Sequence, residues 1–353
     1  MTTPTLSASP IGGISMSSRR LSKKVLWAIP VGVALFSLLI FAVTPFQGRA
    51  DFLVFFLLVY LIVQTVTSGV IEGRRRAMDR FIQALVIGAF FAALAPLVSV
   101  LGFTVARGAR RFDWTFFSTT MSGVSESDSN GGAYHAIIGT LEQIGIATLI
   151  AVPFGLLVSI YLTEYAKGRF GRIVSFFVDV MTGVPSIVAG LFILAAWVLA
   201  FGFGFSGLAG ALALTVLMLP TVVRSSEEML KLVPPSLREG GLALGLTRTR
   251  VVLRIVVPAA LPGIVTGVML AIARIAGESA PLLLTVFGFV ATNANPFSGA
   301  QSSLPLYVFS EAGNNNQTAL DRAWTGALTL ILLVMLFNLV ARLGVYVLSR
   351  KRA

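Results

Sequence analysis

Apolar runs close to twenty residues long recur through this 353-residue chain, and short segments between them carry nearly all of its charge. About twenty helical residues cross the roughly 30 Å of hydrocarbon in a bilayer, and a packed soluble core does not need runs of that length. In lipid every backbone N–H and C=O must find an internal partner, so such runs predict helices. Eight are read as spans, at about 25–43, 52–71, 81–105, 136–162, 183–203, 205–223, 259–287 and 324–348. The expected fold is an all-α integral membrane protein, a polytopic helical bundle of about eight transmembrane helices. Composition agrees: 12% of the residues are charged, against about 25% in soluble domains.

The charge also sets an orientation. With the N-terminus inside, the cytoplasmic segments hold Arg19, Arg20, Lys23 and Lys24; Arg74, Arg75, Arg76 and Arg80; Lys167, Arg169 and Arg172; Arg224, Lys231, Arg238, Arg248, Arg250 and Arg254; and Arg350, Lys351 and Arg352. That is twenty of the 27 basic residues, while Arg49, Arg107, Arg110, Arg111 and Arg322 fall outside. The positive-inside rule therefore places both termini in the cytoplasm of a multi-pass plasma (inner) membrane protein. Topology, rather than nucleic acid, accounts for the net charge of +12.

Several chemistries are excluded. The chain has no cysteine, which removes disulfides and thiol sites, and His135 is its only histidine. A P-loop needs a lysine after a glycine to hold phosphates. The five lysines follow Ser22, Lys23, Ala166, Leu230 and Arg350. No cofactor or metal is expected on this chain, and it is not expected to be an enzyme.

Residues 1–24 are polar and rich in Ser, Thr, Pro and Gly, which predicts a disordered cytoplasmic tail. Ser18-Arg19-Arg20 is superficially like a twin-arginine signal. The apolar run behind it is longer than a signal h-region, so a retained first helix is expected. Residues 25–105 give three additional N-terminal helices, 106–131 an extracytoplasmic segment with Trp114, Phe116 and Phe117, and 132–350 a core with more specific polar features.

The stretch Glu239 to Pro258 reads EGGLALGLTRTRVVLRIVVP and sits in a basic loop, about 224–258, between two spans. Glu239, Gly245, Ile255 and Pro258 have the spacing of the EAA loop of ABC-importer permeases, which this stretch resembles. Gly240 and Gly241 stand where that family has alanines, and Val257 where it has leucine. Each glycine lowers helix propensity by about 1 kcal/mol. The resemblance implies an ABC-importer permease fold and a short helix that docks on a separate ATPase.

Three further runs narrow the resemblance. Tyr161 to Ala166 (YLTEYA), Gly183 to Phe192 (GVPSIVAGLF) and Arg274 to Thr285 (RIAGESAPLLLT) are similar to the phosphate-specific (Pst) permeases, and the last to their PstA-type subunit. The resemblance implies import of inorganic phosphate by an assembly of this chain, a PstC-like second permease, an ATPase dimer carrying ATP and Mg, and an extracytoplasmic phosphate-binding protein. Because chemical selection belongs mostly to the binding protein, a permease for another oxyanion such as molybdate stays open. An ion-coupled secondary transporter and a membrane scaffold are further alternatives. The EAA-like loop argues against the first and the intramembrane charges against the second.

The candidate pathway residues are Arg274, Glu278, Arg224 and Glu142. Arg274 and Glu278 lie four apart in the seventh expected span, hence on one helix face. A charge at mid-bilayer costs about 2.5–3.5 kcal/mol, so such residues pair and turn inward. Two readings are open: a salt bridge holding helices together, or an arginine that meets the anion with Glu278 restraining it. The resemblance implies the second, and guanidinium suits phosphate because its donors form a fixed fork. Pro281 cannot donate to the carbonyl of Gly277, which gives either a packed kink or a hinge. Arg224 is a lipid-headgroup anchor by position and a transport residue by resemblance. Glu142 is expected to contact Arg274, line the cavity or lie in an outer vestibule. Arg110, Arg111 and His135 are expected at the outer interface.

Overall fold

The computed structural model describes residues 21–43, 48–125, 128, 130–166, 168–314 and 316–350. All but the last four positions of the expected polar tail lie outside them. Helices are α1 Lys23–Val43, α2 Arg49–Glu72, α3 Arg74–Gly108, α4 Trp114–Ser118, α5 Tyr134–Ile160, α6 Arg169–Thr182, α7 Ser186–Ile193, α8 Gly207–Lys231, α9 Pro235–Ala243, α10 Arg248–Val251, α11 Val257–Ala276, α12 Ala280–Thr285, α13 Leu304–Ala312 and α14 Gln317–Arg350. No strand forms among the described residues beyond the isolated bridge between Phe287 and Gln301. The fold is all-α, and the chain is a multi-pass membrane protein. Two compact units divide between Val100 and Leu101, inside α3.

In the first unit α1 packs on α2 through Phe41, whose ring meets Phe52 edge-on at 5.3 Å. The loop end of α2 is closed by Glu72. Its side chain is 1% exposed and accepts from Arg80 at 2.5 Å, from Ser68 at 2.9 Å and from the Leu21 amide at 2.8 Å. Gly73, at φ 89°, lets α3 follow α2 with no loop between them. α3 runs for 35 residues, about 52 Å at 1.5 Å per residue. Phe90 and Phe91 on it are about 60% exposed, as lipid-facing side chains would be.

The second unit is built around α5 and α8. Gly155 of α5 faces Val222 and Val223, and Gly210 of α8 faces Gln143. Both helices advance twelve residues between these contacts, so they run parallel and in register. α11 is antiparallel to α8, with Gly263 on Met229 and Gly267 on Ser225. Small residues at each crossing let the backbones approach, as membrane helix packing requires. α9 and α10 cap one end of this core, the loop end; α4, α13 and the segment 286–303 lie at the far end.

Among the described residues seven helices are long and apolar enough to cross a membrane, and α6 with the α7 segment forms a bent pair at 104°. Two expected spans are corrected. The span expected at 183–203 is the second arm of the bent pair, Ser186–Ala200, and the amphipathic α6 before it is new. The span expected at 259–287 begins earlier, at Arg248, and its helix stops at Ala276. Gly277 caps it, residues 277–279 are non-helical, and Pro281 sits in the first turn of α12. Proline suits a first turn and not a helix interior, so the chain restarts there.

Candidate functional site

The surface helix at the loop end is built from its own sequence. Pro235 starts α9 with φ already set. At its C-terminus Gly245 adopts φ 79°. The Leu246 amide donates to the Gly241 carbonyl at 3.2 Å and the Gly245 amide to Leu242 at 2.9 Å, the paired bonds of a Schellman cap. Glu239 and Gly240 face outward, and Leu242 and Leu244 are 50% and 84% exposed. Gly241 is buried: a methyl there would stand 2.8 Å from Ile255 Cδ1 and 2.9 Å from Val251 Cγ2. Its departure from alanine therefore has a packing cause, whereas nothing lies within 4 Å of a methyl at Gly240. Ile255 belongs to a π-helical turn, Val252–Val256, and Pro258 is the second residue of α11.

A second feature lies along α8. The Arg274 guanidinium reaches Thr221 Oγ1 at 3.5 Å. Arg224 is three residues beyond Thr221 and shares its helix face. The structure thus brings Arg274 and Arg224 to neighbouring positions on one face of α8. Arg224 donates to Glu227 at 2.5 Å, to Asp179 at 2.5 Å, and to the Ser175 hydroxyl and carbonyl at 2.8 and 3.0 Å. Glu227 also accepts from Lys231 at 2.7 Å. Arg224 is therefore held by two carboxylates, not left to anchor in head groups. Arg274 is exposed, and no ion pair among the described residues includes it.

Two placements differ from expectation. Arg274 and Glu278 do not share a helix face, because the helix ends between them at Ala276 and no ion pair joins them. Glu142 does not contact Arg274. It accepts from Gln301 at 2.6 Å, and Gln301 in turn accepts from buried Gln143 at 3.1 Å. By the register of α5 on α8, Glu142 lies about 18 Å along the helix from Thr221.

Gly277 and Pro281 bracket the break rather than a kink. A methyl on Gly190 would stand 2.7 Å from Pro281 Cα, so α7 and α12 touch backbone to backbone. Beside the break a cavity of about 820 Å³ is lined by Gly277, Ser279, Pro305, Val308, Ser310 and Leu330.

At the far end Arg322 is fully buried against Glu311 at 2.6 Å, and His135 is buried edge-on to Tyr307 at 5.8 Å. Arg322 is thus a core residue, and so is His135, which was expected at the interface. Burial, then Glu311, pushes the Tyr307 hydroxyl well above the usual phenol range. The residues with no forewarning in the sequence are Asp179, Ser175, Arg238 and Gln301; Glu164 lay unremarked within YLTEYA.

Parallel packed spans with a capped surface helix at one end and two arginines beside one face of α8 fit the membrane component of a transporter. A family model described as "Binding-protein-dependent transport system inner membrane component" matches residues 151–353. The phosphate transport system permease protein PstA 1 of Mycobacterium tuberculosis (strain H37Rv) is 44% identical over 293 residues, covering 82% of this chain and 94% of that protein. PstA of Mycobacterium leprae is 45% identical over 280 residues, 78% of this chain and 91% of that one. PstA of Pasteurella multocida is 36% identical over 270 residues, 76% and 95% respectively. The chain belongs to the binding-protein-dependent transport system inner membrane component family, among its PstA permeases.

Proposed function

We propose that this chain is the permease subunit of an ATP-driven phosphate importer, which receives phosphate from a separate binding protein and passes it across the membrane. The observation that supports the reading is the capped helix α9, where Glu239, Leu242 and the C-cap Leu244 are exposed at the loop end of the core and offer a face on which an ATPase can dock. ATP, with its Mg, is hydrolysed on a partner ATPase dimer, and a PstC-like second permease completes the membrane part. The loop end is cytoplasmic, with both termini on that side, as the basic residues around α9 and α10 favour.

Phosphate crosses along the face of α8 that carries Thr221, Arg224 and the reach of Arg274. Guanidinium groups bind phosphate oxygens through charge-assisted hydrogen bonds; Arg274 supplies the unpaired one, and Arg224 joins only on leaving Asp179 and Glu227. Glu278 lies within the helix break, and movement of the non-helical residues 277–279 changes its distance from Arg274. Glu142 holds the far end through Gln301.

Reconstitution of the four proteins in liposomes tests the assignment. Radiolabelled phosphate should enter with ATP hydrolysis, and Glu239→Arg should abolish uptake by releasing the ATPase while the permeases stay inserted. ATP-dependent uptake of molybdate in preference to phosphate, or full uptake by the Glu239 variant, would reject it.

A further inference from the structure

The docking loop is tied most firmly to a helix that it does not adjoin in sequence. α9 lies between α8 and α11, but its Arg238 reaches Glu164, 74 residues away at the end of α5. Glu164 belongs to the π-helical turn Tyr161–Tyr165 and is 7% exposed. Its Oε1 accepts from Arg238 Nε at 3.1 Å and Nη2 at 2.9 Å. The same guanidinium donates to the carbonyls of Val233 at 2.5 Å and Leu230 at 2.8 Å, where α8 ends. Arg248 of α10 donates to the Glu164 carbonyl and lies over the Tyr165 ring at 5.3 Å. Tyr165 in turn donates to Thr249 at 3.2 Å. The turn Tyr161–Tyr165 at the end of α5 is therefore gripped by α9, through Arg238 next to Glu239, and by α10, through Arg248 and Thr249.

At its other end α5 grips the far-end segment. Thr140 Oγ1 accepts the Leu304 amide at 2.7 Å, and Gln143 donates to the Ser302 carbonyl at 3.1 Å. Gln301, held by Glu142, also donates to the Asn293 carbonyl at 2.9 Å. From residue 142 to 164 the helix spans about 33 Å, the thickness of the hydrocarbon core.

We propose that the Glu164–Arg238 ion pair is the joint through which the docking helix moves α5, so that α5 carries ATP-driven motion from the docking loop to the far-end segment around Gln301. Glu164 and Arg238 are positioning residues: neither needs to meet phosphate or ATP. Coupling between distant sites needs a contiguous physical connection that both ends bias, and α5 with its two polar grips is one. Among the described residues the loop is linked to α11 through its backbone and the apolar packing of Gly241 on Val251 and Ile255, which can slide. A buried, doubly hydrogen-bonded carboxylate resists sliding, because a displaced charge there is left unpaired. The proposal rests on the reading of α9 as the docking helix.

The test compares Glu164→Gln, Arg238→Gln and the exchange Glu164→Arg with Arg238→Glu in the reconstituted complex. Three quantities are read: ATPase retained on the permease, ATP hydrolysis stimulated by the loaded binding protein, and phosphate moved per ATP. Glutamine keeps a hydrogen-bonding side chain but removes the charge, so the loop should stay folded. Glu164→Gln is expected to retain the ATPase and its hydrolysis while phosphate per ATP falls about tenfold, within the range found for coupling residues. The exchange should recover part of the ratio, not all of it, because glutamate cannot donate to Leu230 and Val233. A wild-type ratio in Glu164→Gln would overturn the proposal, as would loss of ATPase binding and complex stability in step with uptake, which marks a purely structural contact. If Glu239→Arg also leaves ATPase retention unchanged, the docking reading itself is at fault, whatever Glu164 does.

Discussion

Arg274 reaches only a hydroxyl at 3.5 Å and pairs with no carboxylate among the described residues, whereas Arg224 is saturated by Asp179 and Glu227. One arginine thus lacks a carboxylate partner among the described residues, and the other is held by two. Losing a charge-assisted hydrogen bond costs about 1.5–3 kcal/mol, so Arg274→Gln should lower phosphate uptake about 10- to 100-fold with the complex intact. Arg274→Lys should recover little, because lysine lacks the fork. Adding Glu278→Gln should restore nothing, since no ion pair exists to be relieved. Uptake assays on assembled complexes decide it, and rescue in the double variant would show that the two charges pair after all. The positions of these charges were legible in the sequence; their partners were not. The four-residue spacing of Arg274 and Glu278 implies a shared face only if the helix continues, and Gly277 with Pro281 stops it. Asp179 was invisible because its helix, at 14 residues, is too short to be read as a span.

Among the elements, α9 was legible through the spacing of Glu239, Gly245, Ile255 and Pro258, which resembles the EAA loop; its first-turn proline and αL-capping glycine, both local demands, emerge from the structure. A side chain at Gly245 meets nothing within 4 Å, so its cost is conformational, about 1–2 kcal/mol for a β-carbon in the left-handed region. Gly245→Val should therefore weaken ATPase binding about tenfold and Gly245→Asn much less. The two glycines before it should part company. Gly240→Ala gains about 1 kcal/mol of helix propensity in open space, whereas Gly241→Ala gains the same and loses about 1–3 kcal/mol to crowding by Ile255 and Val251. Binding of the purified permease to its ATPase should tighten with the first and not with the second. Equal effects would refute the packing account of Gly241. The π-helical turns at 161–165, 194–200 and 252–256 left no mark in the sequence, because the extra residue in each turn is fixed by what packs around it.

For the whole molecule the number of crossings follows from the register of α5 on α8. Two parallel neighbours require the chain to return between them, and α6 with the α7 segment is the return path. The bent pair is then a crossing, and the described residues make eight crossings, in agreement with the basic residues. Cysteines introduced at Ser298 and Thr249, both exposed, should then report from opposite faces. An impermeant thiol reagent applied to intact cells should label only Ser298→Cys, with Thr249→Cys labelled after permeabilisation. Labelling of both from outside would break the eight-crossing topology. The spans themselves were legible because lipid imposes a length and a polarity; where they bend was not, because a bend depends on neighbours. The length of α3 has its own consequence. A helix of about 52 Å exceeds the roughly 30 Å of hydrocarbon by more than the usual tilts of up to about 40° absorb. Part of it must stand clear of the bilayer as a post, and its first turn holds Arg74, Arg75 and Arg76. Near an acidic leaflet each such side chain contributes about 1 kcal/mol of attraction, which would hold that end of the helix at the head groups and limit how far it sinks into the membrane.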